Sequence, residues 1–198
     1  MREKIVAGNW KMNCDLEQTR ALLNALQNNL KGRNEEVRLI VAPTFSNLYP
    51  ACQALKDAPI SVAAQNMHQK ENGAFTGEVS AAMLKSVGVE TVILGHSERR
   101  KYFAENNALL AEKADAALAH DLDIIFCIGE SLEERESNRH FEIIKNQLRK
   151  VCFIFQKLHG AGHQLHAGHE HHEAQQDHAD ALLPLAAAGH IQNDADDA

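Results

Sequence analysis

Residues 91–100 are Thr-Val-Ile-Leu-Gly-His-Ser-Glu-Arg-Arg. The β-branched and apolar residues Thr91–Leu94 predict a short strand that is buried on both faces. Gly95 then interrupts the apolar run, and the polar residues beyond it begin with His96 and Ser97. We predict that Ser97 caps the N-terminus of a helix, because a serine oxygen accepts hydrogen bonds from the first backbone N–H groups. A buried strand that leads directly into a helix is the repeating unit of parallel α/β sheets.

The same unit recurs through the first 155 residues. Short β-branched runs predict five strands at Ile5–Ala7, Val37–Ala42, Ile60–Ala63, Thr91–Leu94 and Leu122–Ile128. Apolar residues at helical spacing predict helices over residues 15–31, 46–57, 79–87, 107–120 and 132–155. Asp15 is the expected cap of the first helix and Gly32 its expected end. This alternation predicts an α/β fold with a parallel sheet, and periodicity alone leaves open a doubly wound sheet or a (β/α)8 barrel.

The overall composition argues against several classes of protein. The chain has 198 residues and a net charge of -7, whereas nucleic-acid-binding proteins carry a basic surface. No apolar run approaches the roughly 18 residues that a membrane-spanning helix needs, and Met1–Val6 lacks the apolar core of a signal peptide. The four cysteines lie far apart, with no CxxC pair. We therefore expect a reduced, cytoplasmic protein with no nucleic-acid or membrane partner.

The composition changes near residue 155. Residues 156–198 contain one Lys or Arg, seven Asp or Glu and eight of the twelve histidines, with no Phe, Tyr or Trp. Because this segment has little apolar surface to bury, we expect it to be disordered and assign residues 1–155 as the folded domain. Three interpretations of the segment stay open: a reading-frame shift near residues 149–156, a genuine disordered extension, or a metal-binding segment.

Polar residues follow the predicted strands at their carboxyl ends, where both candidate architectures place their functional groups. Lys11 follows the first strand, and its ammonium can neutralise a phosphate or a developing oxyanion. His96 follows the fourth strand at a helix N-terminus, which favours the neutral imidazole. Glu98 can orient a nearby cation, and Cys127 is interpreted as a small apolar residue in the core. Taken singly, Lys11 and His96 also fit a solvated lysine and a structural histidine.

No glycine-rich loop of the GxGxxG or GxxxxGK[ST] type occurs in the chain. Such loops hold the phosphates of dinucleotide and nucleotide cofactors at the N-terminus of a helix. We therefore expect no cofactor of either type. The cysteines and histidines of the first 155 residues show no spacing that is typical of a structural metal site, so no metal ligands are assigned there.

Four segments together resemble the triosephosphate isomerase family. They are Gly8-Asn-Trp-Lys-Met-Asn13, Gln65–Asn66 with residues 73–84, Ile93-Leu-Gly-His-Ser-Glu-Arg-Arg100 and Cys127-Ile-Gly-Glu130. Their order and spacing match that family over residues 1–155. The resemblance implies a (β/α)8 barrel, of which this chain holds about five βα units, and a cytoplasmic homodimer that works without a cofactor. It also implies the interconversion of dihydroxyacetone phosphate and glyceraldehyde 3-phosphate in glycolysis and gluconeogenesis.

The resemblance further implies a role for each polar residue. Asn9 and Lys11 would bind the phosphorylated triose, with Lys11 facing the phosphate and the enediolate oxygen. His96 would be the neutral electrophile that polarises the carbonyl and moves protons. Glu98 would hold Lys11 in place, beside Cys127 as a supporting residue. The loop around Thr76 would insert into the partner subunit, so that the site would depend on dimerisation.

The family's general base has no counterpart in the sequence. The family carries a glutamate in a Tyr-Glu-Pro-Val-Trp type motif after its sixth strand, and removing a proton beside a carbonyl needs such a base. Residues 156–198 contain no such motif, and Glu170 and Glu173 stand in no matching context. The glycine loops that bind phosphate after the last two strands are also missing. We expect an isomerase-family chain with impaired activity; the alternative is a non-catalytic half-barrel remnant or a histidine-rich metal-binding protein.

Overall fold

The computed structural model describes residues 3–31, 37–158 and 166–169. Within them, parallel strands form one sheet whose spatial order is the order of the sequence. The strands are β1 (Lys4–Asn9), β2 (Val37–Ala42), β3 (Ile60–Ala64), β4 (Thr91–Leu94), β5 (Asp123–Ile128) and β6 (His166–His169). A doubly wound sheet reverses its strand order partway across, and this sheet does not. The fold is therefore an arc of a (β/α)8 barrel, as the resemblance implies.

Helices connect the strands. One of the two predicted N-terminal caps, Asp15, is present in the structure. The helices are α1 (Leu16–Leu30), a 3-10 turn at Phe45–Asn47 that runs into α2 (Leu48–Ala54), α3 (Ala81–Ser86), α4 (Ser97–Tyr102), α5 (Asn107–Ala119), α6 (Leu132–Glu136) and α7 (His140–Leu158). Asp15 caps α1 as predicted: its side chain accepts a hydrogen bond from the backbone N–H of Gln18, and its own backbone N–H donates to Gln18 Oε1. The predicted end at Gly32 lies outside the described residues.

Two helix predictions are corrected by the structure. The helix predicted over residues 132–155 is two helices, because Asn138 takes a left-handed conformation with φ 56° between α6 and α7. The cap of α4 is His96 rather than Ser97: the His96 ring accepts a hydrogen bond from the backbone N–H of Glu98, and Ser97 is the first helical residue. A ring nitrogen thus replaces the serine oxygen that we predicted.

A short sixth strand lies within the segment that we expected to be disordered. β6 pairs in parallel with β5, with His166 opposite Ile125 and His169 opposite Ile128. In addition, α7 continues to Leu158, beyond the predicted domain boundary at residue 155. Residues 159–165 and 170–198 lie outside the described part of the chain. The expectation that they are disordered therefore stays a prediction.

An ion pair inside the arc shows how strongly the sheet curls. Arg38 lies on β2 and Asp123 on β5, with β3 and β4 between them. The guanidinium of Arg38 nevertheless donates to Asp123 Oδ2 at 2.8 Å and to Thr91 Oγ1 on β4 at 3.4 Å. Two strands that are separated by two others come this close only across a concave face. The pair lies at the amino ends of the strands, opposite the polar turns that follow β1 and β4.

Strands β3, β4 and β5 bury one face against the helices and the other towards the axis of the arc, as their alternating side chains require, whereas most residues of β1 are exposed. On β5, Ile124, Phe126 and Ile128 belong to the large core between sheet and helices, together with Leu23 of α1 and Leu110 of α5. The smaller cluster on the other face contains Ile40, Ala42, Ala63, Ile93 and Cys127. Cys127 is buried in this cluster, which agrees with its interpretation as a small core residue.

Candidate active site

Lys11 lies in a strained turn directly after β1. Its backbone has φ 51°, a left-handed conformation that costs a residue with a Cβ about 1–2 kcal/mol. Hydrogen bonds support both of its backbone groups: its N–H donates to Asn9 Oδ1 at 3.0 Å, and its carbonyl accepts from Gln65 Nε2 at 2.9 Å. Gln65 also donates to the carbonyl of Ala42 at 2.8 Å. Asn9 and Gln65 therefore fix the direction in which the lysine leaves the sheet.

Gln65 belongs to one of the four segments that resemble the family, but the sequence predicted no role for it. It follows β3 and ties the Lys11 turn to the end of β2 through two backbone carbonyls. The available signal was its position, because a polar residue at the carboxyl end of a parallel strand lies beside its neighbours' ends. The hydrogen bonds of Gln65 could not be predicted from that position. Its amide donates to backbone carbonyls, and every residue of the chain has such a carbonyl.

His96 is almost fully buried, with 8% of its surface exposed. Its Nδ1 accepts a hydrogen bond of 3.2 Å from the backbone N–H of Glu98. The Glu98 carboxylate Oε2 lies farther away, at 3.5 Å from the same nitrogen. Since the backbone N–H is the closer group and needs a lone pair on Nδ1, we assign the neutral ring with its proton on Nε2. This is the form that can donate to a ligand carbonyl.

Glu98 connects the two predicted functional residues. Its Oε1 lies 2.9 Å from the ammonium of Lys11, and the side chains of Lys11 and Glu98 remain 50% and 35% exposed. The other carboxylate oxygen faces His96. Lys11 from the end of β1 and His96 from the end of β4 thus meet at one carboxylate. The structure brings together Asn9, Lys11, His96 and Glu98, and it leaves the ammonium accessible to a solvent-borne anion.

The remaining predicted residues lie near the same ends of the sheet. Cys127 is the penultimate residue of β5, and Gly129 beyond that strand is held by Gln147 of α7. The Gln147 side chain accepts from the Gly129 N–H at 2.9 Å and donates to its carbonyl at 2.6 Å. Thr76 lies in the exposed loop between β3 and α3. Thr76 is therefore accessible at the surface, and its predicted insertion into a second copy stays a prediction.

A buried charged network lies beside α4, the helix that His96 caps. Glu105 Oε1 accepts from Arg99 Nε at 2.7 Å and from Lys113 Nζ at 2.5 Å, and Lys113 also donates to Asn66 Oδ1 at 2.8 Å. Burial raises the pKa of Glu105, but hydrogen bonds from Lys113 and Arg99 and their charges outweigh it, and the pKa lies below its usual value. Burial lowers the pKa of Lys113, with Glu105 acting against it. The network joins the turn after β3 to α4 and α5.

Glu130, after β5, is the other carboxylate at this edge of the sheet that the sequence analysis quoted. It forms an ion pair with Arg135 of α6. Burial raises the pKa of Glu130, but its own backbone N–H and the Arg135 guanidinium hold that pKa below its usual value. A carboxylate with a lowered pKa is a weak base, so Glu130 is poorly suited to remove a proton from carbon.

Metal ligands were not predicted for the folded part of the chain. Among the residues that the structure describes, no group of three or more His, Cys, Asp or Glu side chains is arranged to hold a metal ion. The histidine-rich stretch considered as an alternative lies mostly outside those residues. Within the same described part, no helix combines the length and the apolar character needed to cross a bilayer.

Comparison with known proteins places this geometry in context. The family profile described as triosephosphate isomerase matches residues 4–161. Curated proteins named triosephosphate isomerase are similar: the chain is 54% identical over 157 residues to that of Flavobacterium psychrophilum and 55% identical over 157 residues to that of Flavobacterium johnsoniae, in each case covering 79% of this chain and 62% of the relative. Against the Porphyromonas gingivalis protein, identity is 48% over 153 residues, covering 77% and 61%. The chain therefore spans about three fifths of the length of the curated relatives it matches.

Proposed function

The chain belongs to the triosephosphate isomerase family, and on that premise we propose that it binds a phosphorylated three-carbon sugar at the carboxyl ends of its strands. The reaction is the interconversion of dihydroxyacetone phosphate and glyceraldehyde 3-phosphate, in which protons move between neighbouring atoms of the substrate without a cofactor. The setting that we propose is glycolysis and gluconeogenesis in the cytoplasm. The observation that carries the proposal is the convergence of Lys11 and His96 on Glu98.

Lys11 supplies the positive charge of the site. Its side chain is half exposed and its ammonium is held by Glu98, so the ammonium can contact an incoming phosphate or the oxygen that becomes negative in the enediolate. A fixed cation at that position stabilises the developing charge without having to reorganise during the reaction. Asn9 contributes by holding the Lys11 backbone in its left-handed turn.

His96 supplies the proton donor. With Nδ1 accepting from the Glu98 backbone, the ring carries its proton on Nε2 and can donate it to a substrate carbonyl. Donation from a neutral imidazole polarises the carbonyl and makes the neighbouring C–H more acidic. The same nitrogen can then pass a proton between the two oxygens of the enediolate, because a neutral ring is able both to give and to take one.

We propose that turnover by this chain is slow. The reaction needs a base beside the carbon that loses its proton, and such a base contributes about 10²- to 10⁴-fold to rate. Within residues 3–31, 37–158 and 166–169, the two carboxylates discussed at this edge of the sheet, Glu98 and Glu130, are both held in ion pairs. The proposal is thus a chain that recognises the phosphorylated ligand but catalyses its isomerisation poorly.

Lys11 should supply much of the affinity for a phosphorylated ligand. We expect the full chain to bind 2-phosphoglycolate, which carries a phosphate and a carboxylate in the place of the enediolate. Lys11→Met should weaken that binding roughly 10- to 100-fold, because a hydrogen bond to a charged group is worth about 1.5–3 kcal/mol. Isothermal titration calorimetry measures the change, and Lys101→Met, which removes an exposed lysine from α4, is the matched control.

Thermal unfolding separates this function from its alternative. Ligand binding to the folded state raises the melting temperature by mass action. Stabilisation by 2-phosphoglycolate that depends on Lys11 supports the isomerase-type site. If zinc alone stabilises the chain, and the effect disappears when residues 156–198 are removed, the histidine-rich metal-binding function replaces it. Equal affinity of the wild type and Lys11→Met for 2-phosphoglycolate would contradict the proposal.

We also propose a homodimer and a division of the chain into residues 1–155 and 156–198, the latter histidine-rich. The exposed loop that carries Thr76 and the half-exposed Phe75 supports the first point, because it offers polar and apolar surface to a second copy. The abrupt change of composition supports the second. Sedimentation equilibrium of the full chain tests the dimer: a single species with the mass of one chain at micromolar concentration would exclude it.

A further inference from the structure

The side chain of Arg100 bridges the ends of two neighbouring strands. Arg100 lies on α4. Its Nε donates to the carbonyl of Gly95 at 2.7 Å, and its Nη2 donates to the carbonyl of Cys127 at 3.3 Å. The third contact is from Nη1 to Asn107 Oδ1 at 2.7 Å. Since Gly95 follows β4 and Cys127 lies on β5, one rigid guanidinium sets the distance between the two strand ends. None of the three contacts is with Asn9, Lys11, His96 or Glu98.

The Gly95 carbonyl belongs to the peptide bond that links Gly95 to His96. A peptide group is planar, so a hydrogen bond that fixes its carbonyl also fixes its N–H and the direction in which the chain enters His96. His96 then turns back to cap α4 through its own ring. The position of the imidazole is therefore determined at two points: Arg100 holds the peptide before it, and the Glu98 N–H holds Nδ1.

Gly95 shows how closely this arrangement is packed. Its φ of 80° is favourable for glycine, and a Cβ at this position would lie 2.9 Å from the Cys127 carbonyl oxygen and 3.0 Å from Arg100 Nη2. The Arg100 carbon Cζ also lies 5.9 Å from the centre of the Phe126 ring. The guanidinium thus lies against backbone carbonyls and near an aromatic ring, and its three hydrogen bonds limit the positions that it can take.

We infer that Arg100 is a positioning residue for His96: by holding the Gly95–His96 peptide against the end of β5, it sets the place and the tautomer of the imidazole that faces the ligand. This inference rests on the proposed function for the identity of the ligand, but the state of the ring can be measured without one. A purely structural arginine would stabilise the fold and leave the ring nitrogens of His96 unchanged once the variant is folded.

The test measures the ring directly. In the full chain labelled with ¹⁵N-histidine, His96→Gln identifies the His96 signals, and the two ring nitrogens report the tautomer. We expect distinct Nδ1 and Nε2 signals in the wild type and signals that move towards each other in Arg100→Met, as the ring samples both tautomers. Arg100→Lys keeps the charge but cannot hold both carbonyls, so it should show a smaller change and secures the test if Arg100→Met does not fold.

Arg99→Met is the matched control, because Arg99 lies on the same helix and binds Glu105 rather than Gly95. It should leave the His96 signals in place. Unchanged His96 signals in folded Arg100→Met or Arg100→Lys, or equal changes in Arg99→Met, would overturn the inference.

Binding provides a second readout that distinguishes this inference from the proposed function. Affinity for 2-phosphoglycolate relative to inorganic phosphate should fall about 10- to 100-fold in Arg100→Met, as expected when one hydrogen bond to a charged group is lost. Absence of binding by the wild type would count against the proposed function and leave the tautomer test standing. A ratio that is unchanged in Arg100→Met, in a wild type that does bind, would contradict the positioning role alone.

Discussion

Replacing Glu105 with Gln is expected to lower the free energy of unfolding by about 3–5 kcal/mol, because it leaves the buried ammonium of Lys113 without its anion. The Lys113 and Glu105 side chains are almost completely enclosed, and Arg99 depends on the same carboxylate oxygen. Gln is nearly the same size, so the effect measures charge rather than volume. Among the described residues, Glu105 Oε2 has no hydrogen-bond partner, and an amide nitrogen at that position would be buried unpaired as well.

The same pair gives the wild type a defined pH dependence. The pKa of Glu105 in the folded chain lies below its ordinary value of 4.5. A carboxyl group with a lowered pKa contributes stability that is fully present above about that value and is lost as the pH falls through the folded pKa. Burial also lowers the pKa of Lys113, but the group that gains a proton as the pH falls through the acid range is the Glu105 carboxylate, which therefore decides the sign there. When the pH is lowered from neutral to below 4.5, the free energy of unfolding should therefore fall less in Glu105→Gln than in the wild type.

Urea-induced unfolding followed by circular dichroism, at neutral pH and at several acid values, measures both effects. Glu112→Gln is the matched control, since it removes an exposed glutamate from α5, the helix that carries Lys113. That variant should change the free energy of unfolding by no more than about 0.5 kcal/mol. Equal stability of Glu105→Gln and Glu112→Gln would show that the buried network contributes no more than a surface charge.

Phe126→Ala is expected to cost about 3–5 kcal/mol of stability, through lost burial and the cavity that remains. Phe126 is 1% exposed and is the largest of the fully buried side chains among the described residues. It lies on β5, in the core between the sheet and the helices, close to the guanidinium of Arg100. Because packing in such a core is dense, neighbouring side chains can fill only part of the space.

Phe141→Ala provides the same substitution at a site where no core is disturbed. Phe141 stands at the start of α7 and is 78% exposed. Its removal should change the free energy of unfolding by no more than about 0.5 kcal/mol, whereas Phe126→Leu, which keeps most of the volume, should fall between the two. Urea unfolding of the three variants makes the comparison. Similar losses in Phe126→Ala and Phe141→Ala would contradict the assigned packing of β5.

The strands and helices were predictable where the local pattern and the tertiary fold favour the same structure. β2 and β4 have the predicted bounds, because their β-branched runs form strands that are buried throughout β4 and in the second half of β2. β6 could not be predicted, since His-Ala-Gly-His contains no β-branched residue and becomes a strand through pairing with β5. The break at Asn138 was missed because strongly helix-forming residues precede it and an apolar pattern at helical spacing follows it, although Asn is one of the few residues that readily takes a left-handed conformation.

The site was predictable to a different extent. The rule that functional groups follow the carboxyl ends of parallel strands selected Lys11, His96 and Glu98, and the structure brings these three together. The roles of Gln65 and Arg100 escaped prediction, although both residues lie in the quoted segments, because both act on backbone carbonyls, which every sequence contains. The buried Glu105–Lys113 pair was equally hidden, since its partners are eight positions apart and belong to no recognisable motif. The roles of Asn9, Thr76 and Cys127 stay predictions.

The order of the strands has a consequence for how the chain is made. Because β1 to β6 lie side by side in the order in which they are synthesised, each strand can pair with one that has already left the ribosome. Each pairing from β1 to β5 closes only the one βα unit that lies between two neighbouring strands, so none of these pairings has to wait for a distant part of the sequence. Folding can thus advance from the N-terminus at the pace of translation. The Arg38–Asp123 pair, which spans β2 to β5, can form only after β5 has been added, so it would mark the moment at which the curl of the arc becomes fixed.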